Sequence, residues 1–314
     1  MPIEVTVDNY ARAEVAFQAD RFLAIGAGVN DWTHIRNPTP LDQQSVIRMN
    51  RDTLYSVAVT DISHGATVTV PDAGGRYLTV MIMNEDGYVN RVVHDPGIEP
   101  LTVDEFDSPY VIIVARILVD PVDPEDVAEV NRLQDGLTLQ AASARPWVTG
   151  RYDEVSYEEV KRHLLALGEG IRDSHRTFGA KGMVDQVRFL IGTAAGFGGL
   201  PEEEAYYAIR AKPLLVGRYR LTVAAVPVDG FWSVSIYNRD GYFDENRYDS
   251  YSVNSVTATP DPDGTVTIDF GPEPDGSPNF LFVKGGWNYV VRMYRPHPSI
   301  LDGSWTFPEP VPAA

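Results

Sequence analysis

The residues best suited to chemistry stand at the start of an apolar run in the first third of the chain. Asn50, Arg51 and Asp52 are followed by Tyr55, and a further titratable group, His94, comes later in the same half. Carboxylate, phenol and imidazole groups transfer protons, and a guanidinium stabilises developing negative charge. We therefore assign candidate catalytic roles, as acid, base and anion-stabilising groups, to Arg51, Asp52, Tyr55 and His94.

A structural role also explains this stretch. On a strand, Arg51 and Tyr55 share one face while Asp52 lies on the other, so the two charges cannot both point into one pocket without a bend. An Arg–Asp pair with a strand cap would instead hold the N-terminal helix. We expect Arg51 and Asp52 to be largely buried at the boundary between the first β-domain and the helices, because charges ahead of an apolar strand need partners.

The chain contains one phrase twice, at residues 75–88 and 229–242, a constant 154 positions apart. Each copy is an alternating, half-buried strand that runs into an Asp-Gly turn. A period of this length predicts two related β-domains rather than a solenoid. The identical positions fall on alternating strand residues and on the turn: Val80/Val234, Ile82/Ile236, Asn84/Asn238, Asp86/Asp240, Gly87/Gly241 and Tyr88/Tyr242.

The repeated turn is also a candidate ligand site. Its first explanation is turn formation, because Asn and Asp bond their own backbone there and Gly supplies a positive φ. In the first copy a guanidinium and the imidazole of His94 follow closely, so if one half is catalytic we expect the first one. The candidate ligand-binding residues of this half are Asn50, Asn84, Asp86, Tyr88, Asn90 and Arg91.

A further set of candidates lies in the second half. Arg292 and Tyr294 alternate with apolar neighbours, which predicts a strand with one polar and one apolar side. Stacking of the guanidinium on Trp232 or Trp287 is the alternative to ligand contact. The candidate ligand-binding residues of this half are Trp232, Tyr237, Arg292 and Tyr294.

Composition narrows the partners and cofactors. The chain has 26 Lys and Arg against 44 Asp and Glu, a net charge of −18, and no cysteine. Nucleic acid and anionic membranes are therefore poor partners, and thiolate chemistry is excluded. The 6 histidines lack zinc-site spacing, and neither a phosphate loop nor a nucleophile elbow occurs. We expect no metal and no cofactor.

The N-terminus predicts the location. Residues 1–8 lack the basic region and the apolar stretch of a secretory signal, and no later run approaches the roughly 18 apolar residues of a membrane span. We expect a soluble cytoplasmic protein, with a mature form whose signal was removed as the alternative.

The pattern of the chain alternates between helical and β-rich segments. Helical spacing over residues 8–28 behind Asp8 predicts one helix. A capping box of Ser156 and Glu159 predicts a helix that ends near Gly179, and helical patterns follow at 184–195 and from Pro201. Predicted strands in the first β-rich stretch are Ser56–Thr60, Thr67–Val70, Tyr77–Met83 and Tyr110–Val119. The predicted domains are a helical segment 1–45, a first β-sandwich 46–150, a helical segment 151–212 and a second β-sandwich 213–314.

Several strings resemble one family. They are residues 50–56 in the first half, and 198–201, 231–237 and 292–296 in the second. They look like the paired domains of unknown function DUF1254 and DUF1214, over nearly the whole chain. The resemblance implies a mainly β, α+β fold of two related antiparallel jelly-roll-like β-sandwiches joined by a small helical domain. It implies no catalytic residues, because the family has no established activity.

Two functions from different classes remain open. The first is a cofactor-free enzyme that acts on a small neutral or cationic molecule by acid–base chemistry at the junction of the sandwiches and the helical segment. The second is a non-catalytic protein that binds a sugar-like ligand or assembles with other subunits, homo-oligomers included. Its aromatic surfaces would be formed by Trp232, Tyr237, Trp287 and Trp305.

Overall fold

The computed structural model describes residues 1–26, 28–44 and 47–313. The chain divides into two compact units, each built from several stretches. Unit 1 contains Met1–Pro38, Thr53–Glu169 and Arg176–Leu200. Unit 2 contains Thr39–Asp52, Gly170–His175 and Pro201–Ala314. Residues 39–52 therefore belong to the second unit. The sequence assigned them to the N-terminal helical segment and to the start of the first β-sandwich.

Unit 1 contains two antiparallel sheets. Their strands are β1 (Thr33–His34), β2 (Thr53–Asp61), β3 (Ala66–Val70), β4 (Leu78–Asn84), β5 (Val89–Val93), β6 (Gly97–Leu101), β7 (Tyr110–Leu118) and β8 (Thr138–Ala141). One sheet has the order β1-β2-β7-β4-β5, and the other has the order β6-β3-β8. All four strands predicted in this region are confirmed within a few residues at their ends, because each is a β-branched or apolar run bounded by turn residues.

The two faces of β4 have different partners. Leu78, Val80 and Ile82 point into the core that the two sheets enclose. Thr79 and Met81 lie on the opposite face and are also fully buried. A strand that is buried on both faces needs a second cover. The helix α1 (Tyr10–Ile25) contacts the same sheet at β2, and a Cβ at Gly198 would lie 3.7 Å from the Met81 side chain.

The described residues form six α-helices, three of which begin at side-chain caps. After α1 they are α2 (Val103–Phe106), α3 (Pro124–Asp135), α4 (Glu154–Leu167), α5 (Gln186–Ala195) and α6 (Pro298–Leu301). Asp153 caps α4 by accepting from the Ser156 backbone N–H at 2.9 Å, and Asp185 caps α5. The predicted capping box at Ser156 is therefore wrong, because Asp153 begins the helix three residues earlier.

One of the predicted helices is confirmed, one ends earlier than predicted and one is wrong. The helix at 184–195 is confirmed as α5, whereas α4 ends at Leu167 and not near Gly179. The helix predicted from Pro201 is wrong: the chain makes one turn there and continues as a strand, β9 (Ala205–Arg210). Pairing along the whole of β9 with a neighbouring strand outweighs the helix-start signal of proline and three glutamates.

Unit 2 also contains two sheets. After β9 its strands are β10 (Tyr219–Val223), β11 (Trp232–Tyr237), β12 (Ser252–Asn254), β13 (Val266–Gly271), β14 (Phe280–Phe282), β15 (Asn288–Tyr294) and β16 (Val311–Pro312). One sheet has the order β12-β11-β15-β9 and the other β14-β13-β10-β16. The core between them includes Leu221, Val234, Phe270, Trp287 and Met293. The fold is thus mainly β with helices, the α+β class that the sequence predicts.

The two units share a strand order. In unit 1 the order is β2-β7-β4-β5 over β6-β3-β8, and in unit 2 it is β9-β15-β11-β12 over β13-β10-β16. Corresponding strands follow one another in the same sequence along the chain. Strands β4 and β11, which carry the repeated phrase, occupy equivalent positions in the two orders. Among the described residues, no helix combines the length and apolar character needed to cross a membrane.

Candidate functional site

Asp52 lies at the end of the 39–52 segment and is fully buried. Its Oδ1 accepts from the Ser252 hydroxyl at 3.1 Å and from the Asn254 amide at 3.2 Å, both on β12. Its Oδ2 is buried and has no hydrogen-bond partner among the described residues. An unsatisfied buried acceptor on a charged group costs free energy, so this oxygen is the leading candidate for contact with a ligand.

Arg292 on β15 is the buried cation of the same unit, 5% exposed. It donates to the Ser235 hydroxyl at 3.1 Å, to the Tyr237 hydroxyl at 2.9 Å and to the Arg48 carbonyl at 2.6 Å. Burial acts to lower the pKa of Arg292, but the surrounding phenols and the charge of Asp52 raise it above its usual range. Arg292 therefore stays protonated and compensates the charge of Asp52.

Two tyrosines connect this arginine to the 39–52 segment. Tyr237 donates to the Met49 carbonyl at 2.7 Å, and burial raises the pKa of its phenol. Asn50 donates to the Tyr294 hydroxyl at 2.9 Å and accepts from the Asp52 backbone N–H at 2.9 Å. Asn50 thus fixes the backbone that carries the Asp52 carboxylate.

Two more polar atoms near Arg292 are buried without a hydrogen-bond partner among the described residues: the Ser233 hydroxyl oxygen and Arg48 Nε. Ser233 is paired with Arg292 on one neighbouring strand and with Asn254 on the other. We define the Asp52 cluster as the polar side chains Arg48, Asn50, Asp52, Ser233, Ser235, Tyr237, Ser252, Asn254, Arg292 and Tyr294.

The repeated turn of unit 2 holds the 39–52 segment against this sheet. The Gly241 carbonyl accepts from the Arg48 backbone N–H at 2.7 Å, and Gln44 exchanges hydrogen bonds with the backbone of Phe243 at 2.8 and 2.9 Å. Gly241 has φ +88°, and a Cβ there would lie 3.4 Å from Ile47. Glycine is needed at this position both for the positive φ and for the close approach of the segment.

A surface cleft of unit 2 reaches part of the cluster. Its lining includes Tyr237, Tyr251, Asp244 and Lys284. Lys284 and Asp244 form an ion pair at 2.9 Å in this cleft. Tyr237 therefore belongs both to the wall of the cleft and to the hydrogen-bond network of Arg292.

Arg51 has a different setting from its neighbour Asp52. It is half-buried, its guanidinium lies 5.3 Å from the centroid of the Tyr251 ring, and it donates to the Thr39 carbonyl. Burial lowers the pKa of Arg51. The predicted Arg–Asp pair that holds the N-terminal helix is wrong, because the side chains of Arg51 and Asp52 contact different residues of unit 2.

The two repeated turns have the same hydrogen bonds. Asn84 Oδ1 accepts from the Asp86 and Tyr88 backbone N–H groups at 3.1 and 3.0 Å. Asn238 Oδ1 accepts from the corresponding groups of the second turn at 3.0 Å each. Both asparagines are thus used as turn-forming residues, and the Asn84 amide also donates to the Phe106 carbonyl at 3.1 Å.

The other candidates around the first turn contact different partners, except that Asn90 and Arg91 both contact Glu105. Asp86 pairs with Arg12 at 2.7 Å, and the Tyr88 hydroxyl donates to Gln186 at 2.9 Å. Asn90 donates to the Glu105 backbone carbonyl at 3.3 Å.

Arg91 and His94 follow the same pattern. Arg91 pairs with Glu105 and with Glu99, the latter at 3.1 Å. His94 Nδ1 lies 3.3 Å from the Leu78 carbonyl. The candidates around the first turn and His94 are therefore not gathered around one common group, and the expectation that the first β-domain carries the site is not supported by their contacts.

Tyr55 contacts Arg116, which was not among the residues predicted from the sequence. Arg116 on β7 lies with its guanidinium 5.5 Å from the centroid of the Tyr55 ring. Thr79 pairs with Arg116 as Ser233 pairs with Arg292, so the two arginines occupy equivalent positions in the two sheets. A single arginine inside an otherwise apolar strand was the available signal in both cases.

The aromatic residues of the binding hypothesis do not form a surface. Trp232, Tyr237 and Trp287 are each at most 5% exposed, and Trp305 is half-buried against Phe307. The expectation of an exposed aromatic surface at these positions is wrong, because the tryptophans fill the core between the two sheets of unit 2.

Glu14 in unit 1 is another buried carboxylate, and it was not among the residues predicted from the sequence. Glu14 on α1 accepts from Gln18 at 2.8 Å and from the hydroxyl of Tyr157, and Lys161 lies 3.7 Å away. Burial and the charge of Glu14 raise the pKa of Tyr157 above its usual range. Both oxygens of Glu14 have partners, which favours a structural role in joining α1 to α4.

No cluster of three or more His, Asp or Glu side chains with the geometry of a metal site occurs among the described residues. The absence of a bound metal stays a prediction that metal analysis of the purified protein can test.

Fold and site together define a mainly β protein of two sandwich-containing units, one of which encloses a buried polar cluster. Residues 29–141 match the family model "Protein of unknown function (DUF1254)", and residues 214–298 match "Protein of unknown function (DUF1214)". The chain belongs to the family that pairs these two domains, as its sequence predicts.

Solved structures show the same fold. The VPA0106 protein from Vibrio parahaemolyticus, a structural genomics target, is 19% identical with a TM-score of 0.75, and the match covers 98% of each chain. A putative uncharacterized protein from Burkholderia cenocepacia is 15% identical with a TM-score of 0.53, over 92% of this chain and 84% of the other. None of the curated proteins compared with the chain matches it.

Proposed function

We propose that this protein binds a small molecule at the Asp52 cluster and acts on it by acid–base chemistry without a cofactor. The observation that carries the proposal is the Asp52 carboxylate, which is fully buried and whose Oδ2 has no partner among the described residues. Because an unpaired buried acceptor is costly, its persistence in a fold is characteristic of a functional site.

The side chains of the cluster have different roles in the proposed reaction. Ser252 and Asn254 hold the carboxylate through Oδ1 alone, so Oδ2 is left for the ligand. Asp52 accepts a proton from the bound molecule, and the fixed charge of Arg292 stabilises the negative charge that then develops on the ligand. Of the four candidate catalytic residues, Asp52 keeps its role, while Arg292 replaces Arg51, Tyr55 and His94.

The test compares Asp52→Asn with Asp240→Asn, an identical change on an exposed turn of the same unit. Each variant and the parent are incubated with a metabolite extract, and the compounds that they retain or convert are identified by mass spectrometry. We expect the parent and Asp240→Asn to retain and convert the same compound, and Asp52→Asn to do neither. Equal retention by all three proteins would contradict the proposal.

A second candidate, binding without turnover, is favoured by one observation. The phenol and guanidinium beside Asp52 belong to Tyr237 and Arg292, and both have raised pKa values. Neither of these two groups therefore releases a proton near neutral pH. Retention of an unchanged compound by the parent, lost in Asp52→Asn, would favour this candidate over the enzyme.

We also propose that the two units arose by duplication of one β-domain. The common strand order and the matching hydrogen bonds of the turns at Asn84 and Asn238 support this proposal. A jelly-roll-like topology, a cytoplasmic location and a homo-oligomeric state stay predictions of the sequence.

A further inference from the structure

The strand β8 lies at one edge of the smaller sheet of unit 1, next to β3. The residue after β8, Ala142, donates its backbone N–H to the Gly65 carbonyl at 3.0 Å, so its polar groups face β3. Successive residues of an antiparallel strand direct their backbone groups to opposite sides. The N–H and C=O groups of Leu139 and Ala141 therefore point away from β3, out of the edge of the sheet.

These outward groups are available for pairing. Within residues 1–26, 28–44 and 47–313, no backbone hydrogen bond joins Leu139 or Ala141 to an element other than β3. The side chains of Thr138 and Gln140 are exposed on the solvent side of the strand. A row of unpaired backbone groups at a sheet edge is a template for another strand.

The opposite edge of the same sheet is protected. Thr67 on β3 lies in register with Gln140 on β8 and with Pro100 on β6. Because the backbone of Thr67 faces β8, that of Pro100 points out of the sheet, where proline has no N–H to donate and its carbonyl already accepts from Arg91 at 3.1 Å. The β8 edge lacks such protection, because residues 137–144 include no proline and no charged side chain.

The charges that flank β8 favour a second copy of this chain as the partner. Asp135 and Arg145 lie equally far along the chain on either side of Gln140, and both are exposed. Each has a partner within unit 1, Arg36 for Asp135 and Asp61 for Arg145. Antiparallel pairing of two identical edges about Gln140 brings the acidic flank of one copy toward the basic flank of the other, whereas parallel pairing brings like charges together.

We propose that β8 pairs antiparallel with β8 of a second copy, so that two three-stranded sheets join around a two-fold axis at Gln140. Leu139 of one copy faces Ala141 of the other, and each such pair exchanges both of its N–H···O=C bonds. The two Gln140 residues meet on the axis as a pair without backbone hydrogen bonds, with Cα atoms about 4.5 Å apart. Their exposed amide side chains lie next to each other.

The experiment measures association by sedimentation velocity, for the full chain and for Gln140→Lys and Gln140→Glu. Each variant places like charges together at the axis, and we expect each to weaken dimerisation at least about tenfold. An equimolar mixture of the two variants should recover the dimer of the parent, because lysine then faces glutamate. The control is Thr222→Lys, the same added charge at an exposed strand position of unit 2, which should leave association unchanged.

The charge of the whole chain makes the outcomes distinct. At a net charge of −18, Gln140→Lys lowers the general repulsion between copies and would strengthen an association that does not use β8. Association that Gln140→Lys strengthens or leaves unchanged therefore overturns the proposal, and so does failure of the mixture to restore the dimer. A parent that stays monomeric up to about 1 mM also overturns it and leaves the edge to a strand of a different protein.

Hydrogen exchange gives a second, independent measurement. The backbone N–H groups of Leu139 and Ala141 should exchange more slowly at high protein concentration than at low concentration, because only the dimer bonds them. The N–H of Ala142 is bonded to Gly65 in the monomer and should not respond. Exchange at Leu139 and Ala141 that does not depend on concentration would contradict the pairing.

Discussion

Each unit has an arginine at the equivalent position of one of its sheets, Arg116 on β7 and Arg292 on β15. A different segment of the chain covers the arginine in each unit. In unit 1, Arg116 donates to the Gly198 carbonyl, which lies in the stretch after α5. In unit 2, Arg292 donates to the Arg48 carbonyl, which lies in the 39–52 segment. Only the segment in unit 2 brings a buried carboxylate, Asp52, whose hydrogen bonds reach the same sheet through Ser252 and Asn254.

The difference indicates where one of two related domains can acquire a function. The strands and turns of both copies are committed to the fold, because their side chains form the core and the turn hydrogen bonds. The covering segments are not part of the repeat, so they can differ without disturbing it. The segment with Asp52 therefore makes unit 2 the better candidate for activity, against the expectation from His94.

The largest expected effect comes from Arg292→Met. The change leaves Asp52 buried without its compensating charge, and we expect the free energy of unfolding to fall by about 3–5 kcal/mol. Urea denaturation measures this value. Adding Asp52→Asn to Arg292→Met should cost less than the sum of the single changes, because the two charges are coupled. Additive losses would mean that the two side chains do not interact.

A smaller loss of stability is expected for Asp52→Asn alone. An asparagine keeps the bonds from Ser252 and Asn254 but leaves Arg292 without its counter-charge, so we expect a loss of about 1–3 kcal/mol together with complete loss of ligand binding. Arg51→Met should cost less, about 0.5–1 kcal/mol, because Arg51 is half-buried over the Tyr251 ring. Thermal melts compare the two variants. Equal and large losses would favour a purely structural role for both residues.

The matched turns allow a direct comparison of the units. Asn84→Ala and Asn238→Ala each remove two turn hydrogen bonds, and we expect each to cost about 1–2 kcal/mol. Only Asn238→Ala should speed amide exchange at Arg48, whose N–H is bonded to Gly241. Hydrogen exchange followed by NMR measures this. Faster exchange at Arg48 in both variants would contradict the local role of the second turn.

The smallest expected effect is on the pH dependence of stability in acid, and it concerns Asp61 of unit 1. Burial acts to raise the pKa of Asp61, but hydrogen bonds from Arg145 and Ser63 lower it well below its usual range. Because the folded pKa is depressed, its contribution is complete above the unfolded pKa of about 3.9 and is lost as pH falls through the folded pKa. Asp61→Asn should therefore flatten the fall of stability below about pH 4. An unchanged acid limb in urea denaturation would contradict this.

Local patterns predicted the elements better than the boundaries. The strands of the repeated phrase follow from alternation and turn residues, and α5 follows from its apolar spacing. The start of α4 was misplaced because two cap signals, at Asp153 and Ser156, compete within one turn. The strand β9 was missed because its pairing partner, β15, lies far along the chain.

Some of the site residues were predicted from the sequence and others were not. Asp52, Arg292, Tyr237, Tyr294 and Asn50 were candidates from residue type and position, and the structure brings these five into one cluster. Ser233, Ser252 and Asn254 were missed, because small polar residues on strands are common and carry no spacing signal. His94 was included for its chemistry alone, and its contacts lie elsewhere.

The sequence by itself determined the class of the fold, the family and the two repeated strand-turn elements, because alternation, turn residues and identity at a fixed offset are local or directly countable. Only the tertiary structure decided that residues 39–52 belong to unit 2 and that Asp52 faces Ser252 and Asn254. These contacts join residues about two hundred positions apart. Which of several polar side chains meets a buried carboxylate depends on how sheets and covering segments pack, and one sequence does not encode that packing in any local pattern.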